Sequence, residues 1–445
     1  MTLLGLTGVK QILERVLALS KADGTHVTLE ATDSALTRFA RNAIHQNVSE
    51  VEATLQVRAV FGRRVGSAST NDLSSDGMAR TVERAGLIAR LQPENPAWPG
   101  LPDPRPISSV DAFDPVAAWA TPEYRARAVL EICRQAHAEK MAASGAFSTA
   151  SGEFAVASSR GIFAYHPYTD VELTLVVEGV SGSGYAHAAS WRLDRVDTEA
   201  LGREAVTRAL RSQAPRRVPP GEYPVVLEPY AMLALVEALA QAGMGALAVQ
   251  EERSWMNGRM GHAALSPALS IWDDGLDRSG HPMPFDCEGV PKQRVDIVRQ
   301  GVPTGPVYDT LTAAREPGRV STGHAQPIEE DWDGPAPGNL ALTAGDSTVE
   351  ELIAQTERGL YVTRLWYTNL ISEHDCAITG TTRDGVWWIE RGELAYPVQN
   401  LRFSQRLVTA LKDVRGVGKD LRTVRGLYGV HRLPAMALGT CRFIG

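Results

Sequence analysis

The chain has 445 residues, 44% apolar and 22% charged, enough for two or three domains with buried cores. Its 45 Lys+Arg against 52 Asp+Glu leave a net charge of -7, which excludes an overall positive field for nucleic acid or an anionic membrane. Cys133, Cys287, Cys376 and Cys441 lie far apart with no C-x-x-C pair, which argues against a zinc ribbon or disulfide framework and fits a reducing cytoplasm. No apolar run approaches the roughly 18 residues of a membrane span. Lys10, Glu14, Arg15 and Lys21 break up the start, so it does not read as a signal peptide.

Val9, Ile12, Leu13, Val16 and Leu17 recur at helical spacing and predict an amphipathic first helix. Asp23-Gly24 ends it, and a strand-rich stretch runs from His26 to about Ser69, with clear alternation over Glu50–Val60. A second helix is predicted from Ser75 to Ala89. Eight prolines between Pro93 and Pro122 then predict an extended connector over the surface, because proline lacks the N–H that helices and central strands need. Thr121 as cap, Pro122 at the first position and Glu123 at the positive end start the next helix, with Val129, Ile132, Cys133 and Ala136 inward. Strands follow at Glu153–Ala157, Gly161–His166, Asp170–Glu178 and Tyr185–Leu193, then a helix from Thr198 to Arg211.

The order helix, strands, helix thus occurs twice, which predicts a duplicated α-βββ-α region. Beyond Pro219-Pro220-Gly221 the texture changes to a short strand, Tyr223–Leu227, an apolar helix, Tyr230–Ala242, and then mostly strands and turns. One further helix is predicted from Ser347, capped through Glu350, to Arg358. The expected class is α+β. Its parts are a unit over 1–92, the connector over 93–121, a second unit over 122–215 and a β-rich domain over 216–445.

Chemistry is sparse. There is no H-E-x-x-H, no H-x-x-E-H and no cysteine pair, so the strong zinc signatures are missing. The densest acid/His/Cys group is His281, Asp286 and Cys287, which reads more readily as a proline-stiffened loop with a buried thiol than as ligands or a nucleophile. Glu373-His374-Asp375 reads as a solvated turn and Gly179–Gly184 (GVSGSG) as a hairpin tip, since no phosphate-binding helix follows. Glu251-Glu252-Arg253 reads as a solvated run or cleft rim. The basic spots Arg216-Arg217 and Arg415–Arg425 (RGVGKDLRTVR) are short and diluted by glycine and acid, and read as ordinary surface.

Several segments in order nevertheless resemble the TldD/PmbA family, also called modulators of DNA gyrase. They are Ser34–Asn47 (SALTRFARNAIHQN), Trp272–Gly280 (WDDGLDRSG), Asp286–Pro291 (DCEGVP), Gly359–Val362 (GLYV) and Ile389–Val398 (IERGELAYPV). The resemblance implies a duplicated N-terminal α+β region plus a β-rich domain. It also implies a zinc peptidase in which one subunit type carries an H-E-x-x-x-H helix and a distant Cys ligand. The other type lacks them, and the two close a cavity as a heterodimer. Counting back from Met256–Gly261 (MNGRMG) places the metal helix at Val236–Gln241 (VEALAQ). Val236 and Gln241 stand where the histidines would be, Glu237 keeps the glutamate position, and Cys441 is no convincing ligand. A one-residue shift would bring in Glu237 and Ala242 instead, again without an imidazole pair.

The resemblance therefore implies a metal-free partner subunit: no cofactor of its own, zinc in an H-E-x-x-x-H partner, an unfolded peptide as substrate, and neither nucleic acid nor membrane as a target. A homodimer in the partner's absence stays open. The alternatives are a self-sufficient enzyme with a remodelled site, drawn from Glu237, Glu251, His262, His281 and Cys287, or a non-enzymatic scaffold.

Overall fold

The structure is a computed structural model that describes residues 3–327 and 334–444. The first unit comprises α1 (Gly5–Leu19), β1 (Gly24–Ala40), β2 (Ala43–Phe61), β3 (Arg64–Thr70) and α2 (Ser75–Leu91). A short helix, α3 (Pro115–Ala118), precedes the second unit of α4 (Pro122–Ala138), β4 (Ala142–Ser158), β5 (Phe163–Glu178), β6 (Ser183–Ser190) and α5 (Thr198–Arg211). Each helix buries the face its apolar spacing marks out, such as Val9, Leu13 and Val16 on α1. The duplication is structural. The six strands form one antiparallel sheet in the order β3-β2-β1-β4-β5-β6, with β1 and β4 paired along its centre.

The two units are thus halves of a single sheet rather than separate bodies. Glu153 of β4 joins them further: its carboxylate accepts from the backbone N–H of Leu4 and Gly5 at the start of α1 (2.5 and 3.0 Å). A carboxylate there satisfies amides that the helix itself leaves open.

Several sequence expectations need correction here. The two strands expected at Gly161–His166 and Asp170–Glu178 are one, β5, which starts at Phe163, and β4 begins at Ala142 rather than near Glu153. The segment Ala142–Gly152 (AASGAFSTASG) has few β-formers, and tertiary packing overrides its propensity: a Cβ at Gly145 would lie 2.2 Å from Thr174 O. Leu193 lies in a 3-10 turn after β6, not in the strand. The stretch read as pure connector contains α3, started by Asp114 as cap and Pro115 at its first turn. Residues 93–111 are otherwise mostly exposed and carry no helix or strand. They are tacked down at Ile107, against the Phe154 and Phe285 cluster, and by Arg160 on Asp103.

The remaining chain is strand-dominated. It opens with β7 (Gly221–Leu227), α6 (Pro229–Gln241), α7 (Ala246–Gln250), β8 (Ile271–Asp273), β9 (Val295–Arg299), β10 (Val302–Pro303) and α8 (Thr310–Ala314). Then come β11 (Leu340–Leu342), α9 (Val349–Ala354), β12 (Arg358–Ser372), β13 (Ala377–Glu390) and β14 (Glu393–Pro397). The last elements are β15 (Arg402–Arg406), α10 (Leu407–Ala410), β16 (Val414–Arg425) and β17 (Val430–Phe443). Among the described residues these strands make one 11-stranded sheet. The pairing of β7 with both β12 and β17 closes β17-β15-β13-β12-β7 into a ring. Trp255, Met256, Leu360, Phe403 and Leu433 are among its fully buried core, against which α6 packs. The helix expected from Ser347 starts one residue later. Thr348 is the cap, Glu351 closes the box, and the helix ends at Ala354, leaving Arg358 to begin β12.

Candidate functional site

The second N-terminal unit meets the C-terminal domain along one line, where α5, β5 and β6 face α6, β13 and β16. Trp387 Nε1 donates to Arg211 O at 3.1 Å and Ser183 Oγ to Asp384 Oδ1 at 2.8 Å across this line. A cleft of about 890 Å3 opens there between α5 and β16, and a second cavity of about 330 Å3 opens beside α6. Tyr230, in the first turn of α6, lines the second, and Arg422 lines the first.

The floor of the larger cleft is a buried ionic cluster. Arg208 of α5 binds Glu204 and the fully buried Glu228, and Tyr361 donates its phenol to Glu228. Arg422 of β16 binds Glu204 and Tyr230. Burial works against the Arg208 charge, but Glu228 and Glu204 outweigh it and hold its pKa above the ordinary value. Burial pushes Glu228 upward, while Glu204 is held low by Arg208 and Arg422 despite its burial. Two arginines and two carboxylates thus satisfy one another in a low-dielectric seam. Removing Arg208 would strand the Glu228 carboxylate, and removing Glu204 would leave Arg422 without its carboxylate.

A second ladder runs along β5. His281 Nε2 lies 3.1 Å from Asp170 Oδ1, Arg425 binds both Asp170 and Glu172, and His187 Nε2 lies 3.1 Å from Glu172 Oε1. Burial opposes the charges of Asp170 and Glu172, yet these partners keep both below the usual carboxylate range. Both arrays fasten the C-terminal strand β16 to the N-terminal sheet.

The smaller cavity contains the helix positions singled out by sequence. Val236 turns away from it into the core, at 1% exposure. Glu237 and Gln241 line it. Glu237 Oε1 accepts the backbone N–H of Tyr428 at 3.1 Å, and His431 Nε2 approaches to 3.8 Å. The His431 Nδ1 accepts from Leu340 N at 3.3 Å. Beneath the helix the buried Cys376 thiol reaches Ala238 O at 3.6 Å. A zinc ion does not fit this set. It offers one carboxylate and one amide, the nearest imidazole has its Nδ1 spent on a backbone amide, and Cys441 lies buried on β17 away from the cavity. Among the described residues no group of three His, Cys, Asp or Glu side chains is arranged to hold a metal.

The other sequence candidates are scattered. Glu251 is exposed and paired with Arg253 (2.8 Å), and His262 is exposed on a turn beyond it. His281 joins the β5 ladder. Asp286 accepts three backbone amides, from Glu288, Val290 and Ala325, and so shapes a turn rather than a ligand set. Burial, and then the Asp286 charge, push the Cys287 thiol far up, so it is no thiolate nucleophile. The Arg415–Arg425 run corrects the surface reading. Arg415 and Lys419 are exposed, but Arg422 and Arg425 enter the seam. Sequence alone missed them, together with Glu204, Arg208, Glu228 and Tyr230, because, apart from the Glu204–Arg208 pair one helical turn apart, their partners lie about 20 to 255 residues away.

Comparison with known proteins decides the family. The model for the PmbA/TldA metallopeptidase C-terminal domain matches residues 220–445, that for domain 1 matches 27–89, and that for the central domain matches 119–213. The chain belongs to the PmbA/TldD family. It is 26% identical over 437 residues to the metalloprotease PmbA of Escherichia coli O157:H7, covering 95% of this chain and 93% of that protein. It is 25% identical over 376 residues to a TldD homolog of Haemophilus influenzae, covering 80% and 77%. The crystal structure of TldE from Thermococcus kodakarensis shares the fold, with a TM-score of 0.88 at 18% identity over 98% of this chain and all of that one. Within the PmbA/TldD architecture the two cavities described above lie where the central-domain and C-terminal-domain segments face each other.

Proposed function

We propose that this chain is the metal-free partner subunit of a PmbA/TldD-type zinc peptidase complex. It supplies part of a cavity wall and a groove that aligns an unfolded peptide, and an H-E-x-x-x-H subunit holds the zinc. The observation that carries this reading is the state of α6. Its first histidine position is Val236, buried in the core, its second is Gln241, and the retained Glu237 has turned its Oε1 to a backbone amide. None of these can replace an imidazole pair.

The chain's own contribution is positional. β12 pairs with β7 only through Leu360–Val362, and its later residues, Arg364 to Leu370, line the smaller cavity. A strand edge left open beside a cavity can take an extended peptide by main-chain hydrogen bonds. Holding the scissile segment still removes entropy from the barrier without chemistry in this chain.

Metal analysis tests the reading at its base. The purified chain, dialysed against zinc-containing and then zinc-free buffer, is expected to retain far less than one zinc per chain. One tightly held zinc per chain would overturn the metal-free assignment.

A further inference from the structure

The smaller cavity has an electrostatic feature that the peptide-groove reading does not use. Two of its three charged lining residues are cations already compensated: Arg364 binds Asp384 at 2.7 Å, and Arg425 binds Asp170 and Glu172. The third, Glu237, has no arginine or lysine against it among the described residues; its ionisable neighbour is His431, whose Nε2 lies 3.8 Å from Oε1. Its Oε1 accepts Tyr428 N–H, and the nearby His431 carries its ring hydrogen on Nε2 if neutral, because Nδ1 accepts from Leu340. The carboxylate is also held in place: a Cβ at Gly426 would lie 2.0 Å from Glu237 Oε1, so the Gly426–Gly429 turn sits directly on it. No hydrogen bond to its Oε2 is formed among the described residues, and the side chain lines the cavity.

The walls suit a cation with a long apolar stem. Tyr230, Leu233, Trp366, Leu427 and Tyr428 surround the space above Glu237. Aromatic faces here already hold a guanidinium group, with Arg364, itself on the cavity wall, 3.9 Å from the Tyr185 ring and 4.5 Å from Trp366. The β12 strand bulges at the mouth. Tyr367 has a φ of 50° and is 78% exposed, a conformation that a bulky side chain rarely adopts and that clusters at binding sites. Thr368 beside it keeps a buried hydroxyl without a partner.

We propose that this cavity receives the lysine or arginine side chain of an extended peptide. The charged head pairs with Glu237 Oε2, and the methylene stem lies along Leu233, Tyr230 and Trp366. The peptide backbone runs on the open β12 edge. This inference rests on the reading of the chain as a peptide-binding subunit, and deepens it by naming which side chain the groove selects.

The test uses the full chain and blocked, fluorescein-labelled peptides that differ at one central position: lysine, arginine, norleucine, phenylalanine or glutamate. Anisotropy titrations at low salt are expected to show lysine and arginine peptides binding about tenfold tighter than norleucine. Glu237→Gln keeps an oxygen for Tyr428 N–H, so the turn should hold while the preference for cations disappears. Glu237→Lys is expected to favour the glutamate peptide instead, and thermal melts of both variants report whether they fold. Equal affinity for lysine and norleucine peptides, or tightest binding of phenylalanine, would overturn the cation site while leaving a peptide groove. No binding of any peptide would overturn both. In the native chain the five-peptide series decides the question even if a variant fails to fold.

Discussion

Glu237 shows how the meaning of a single residue depends on its neighbours. From the sequence it stands out as the surviving glutamate of a metal helix that has lost its histidines. In the structure it anchors the Gly426–Gly429 turn and lines a cavity. The resemblance singles out Val236 and Gln241 because a known motif says where to look, and neither is a histidine. Glu228, Arg208 and Arg422 were not legible, because a buried ion cluster has no spacing rule: its members come from α5, the α6 cap and β16. His26 offers a residue-scale prediction. Burial, and then the Arg58 charge, lower its pKa to about 3 from 6.5, against a hydrogen bond with Cys287 that opposes the shift. The folded chain keeps it neutral where the unfolded chain takes up a proton. Its contribution is therefore intact above about pH 6.5 and is lost as pH falls toward 3, by at most about 1.4 kcal/mol per pH unit. His166, lowered to about 4 chiefly by burial, acts in the same direction. Thermal melts between pH 7 and about 4.5 are expected to show a falling midpoint, with a shallower slope in His26→Gln.

At the scale of elements the duplication is written in two glycines. Gly66 on β3 lies against α2, where a Cβ would come 2.2 Å from Ala89 N and 2.7 Å from Ala85 O. Gly184 on β6 lies against α5 in the same way, 2.2 Å from Ala205 O and 2.6 Å from Ala209 N. Each edge strand meets the backbone of its helix through a pair of alanines four residues apart, so the two halves share a contact even where their sequences have diverged. A backbone cannot move aside as a flexible side chain can. Gly66→Ala and Gly184→Ala are each expected to destabilise the chain by about 1–3 kcal/mol, read as a lower midpoint in urea at unchanged slope. A neutral result at both sites would contradict the close strand–helix packing. Helix starts proved legible from cap and periodicity, the caps falling within a residue of expectation at α4 and α9, although α9 ends four residues short of Arg358. The first half of β4 was not legible, because it is mostly Ala, Ser and Gly, residues whose place in a sheet is set by neighbours that only the fold supplies.

Across the whole molecule, the class and the repeat could be read in advance, but the joining of the two units into one sheet could not. Nor could the seam, whose β5 and β16 partners are separated by about 255 residues. Among the described residues no helix is long and apolar enough to cross a membrane. What remains for the molecule as a whole is its proposed division of labour with a zinc-bearing subunit. The direct measurement is cleavage of an unfolded peptide by this chain, by an H-E-x-x-x-H member of the family from the same source, and by the two mixed. This chain alone is expected to be inactive, and the mixture to cleave faster than the zinc-bearing chain alone while eluting as a joint complex. Cleavage by this chain alone, at a rate the second chain does not raise, would contradict the partner role.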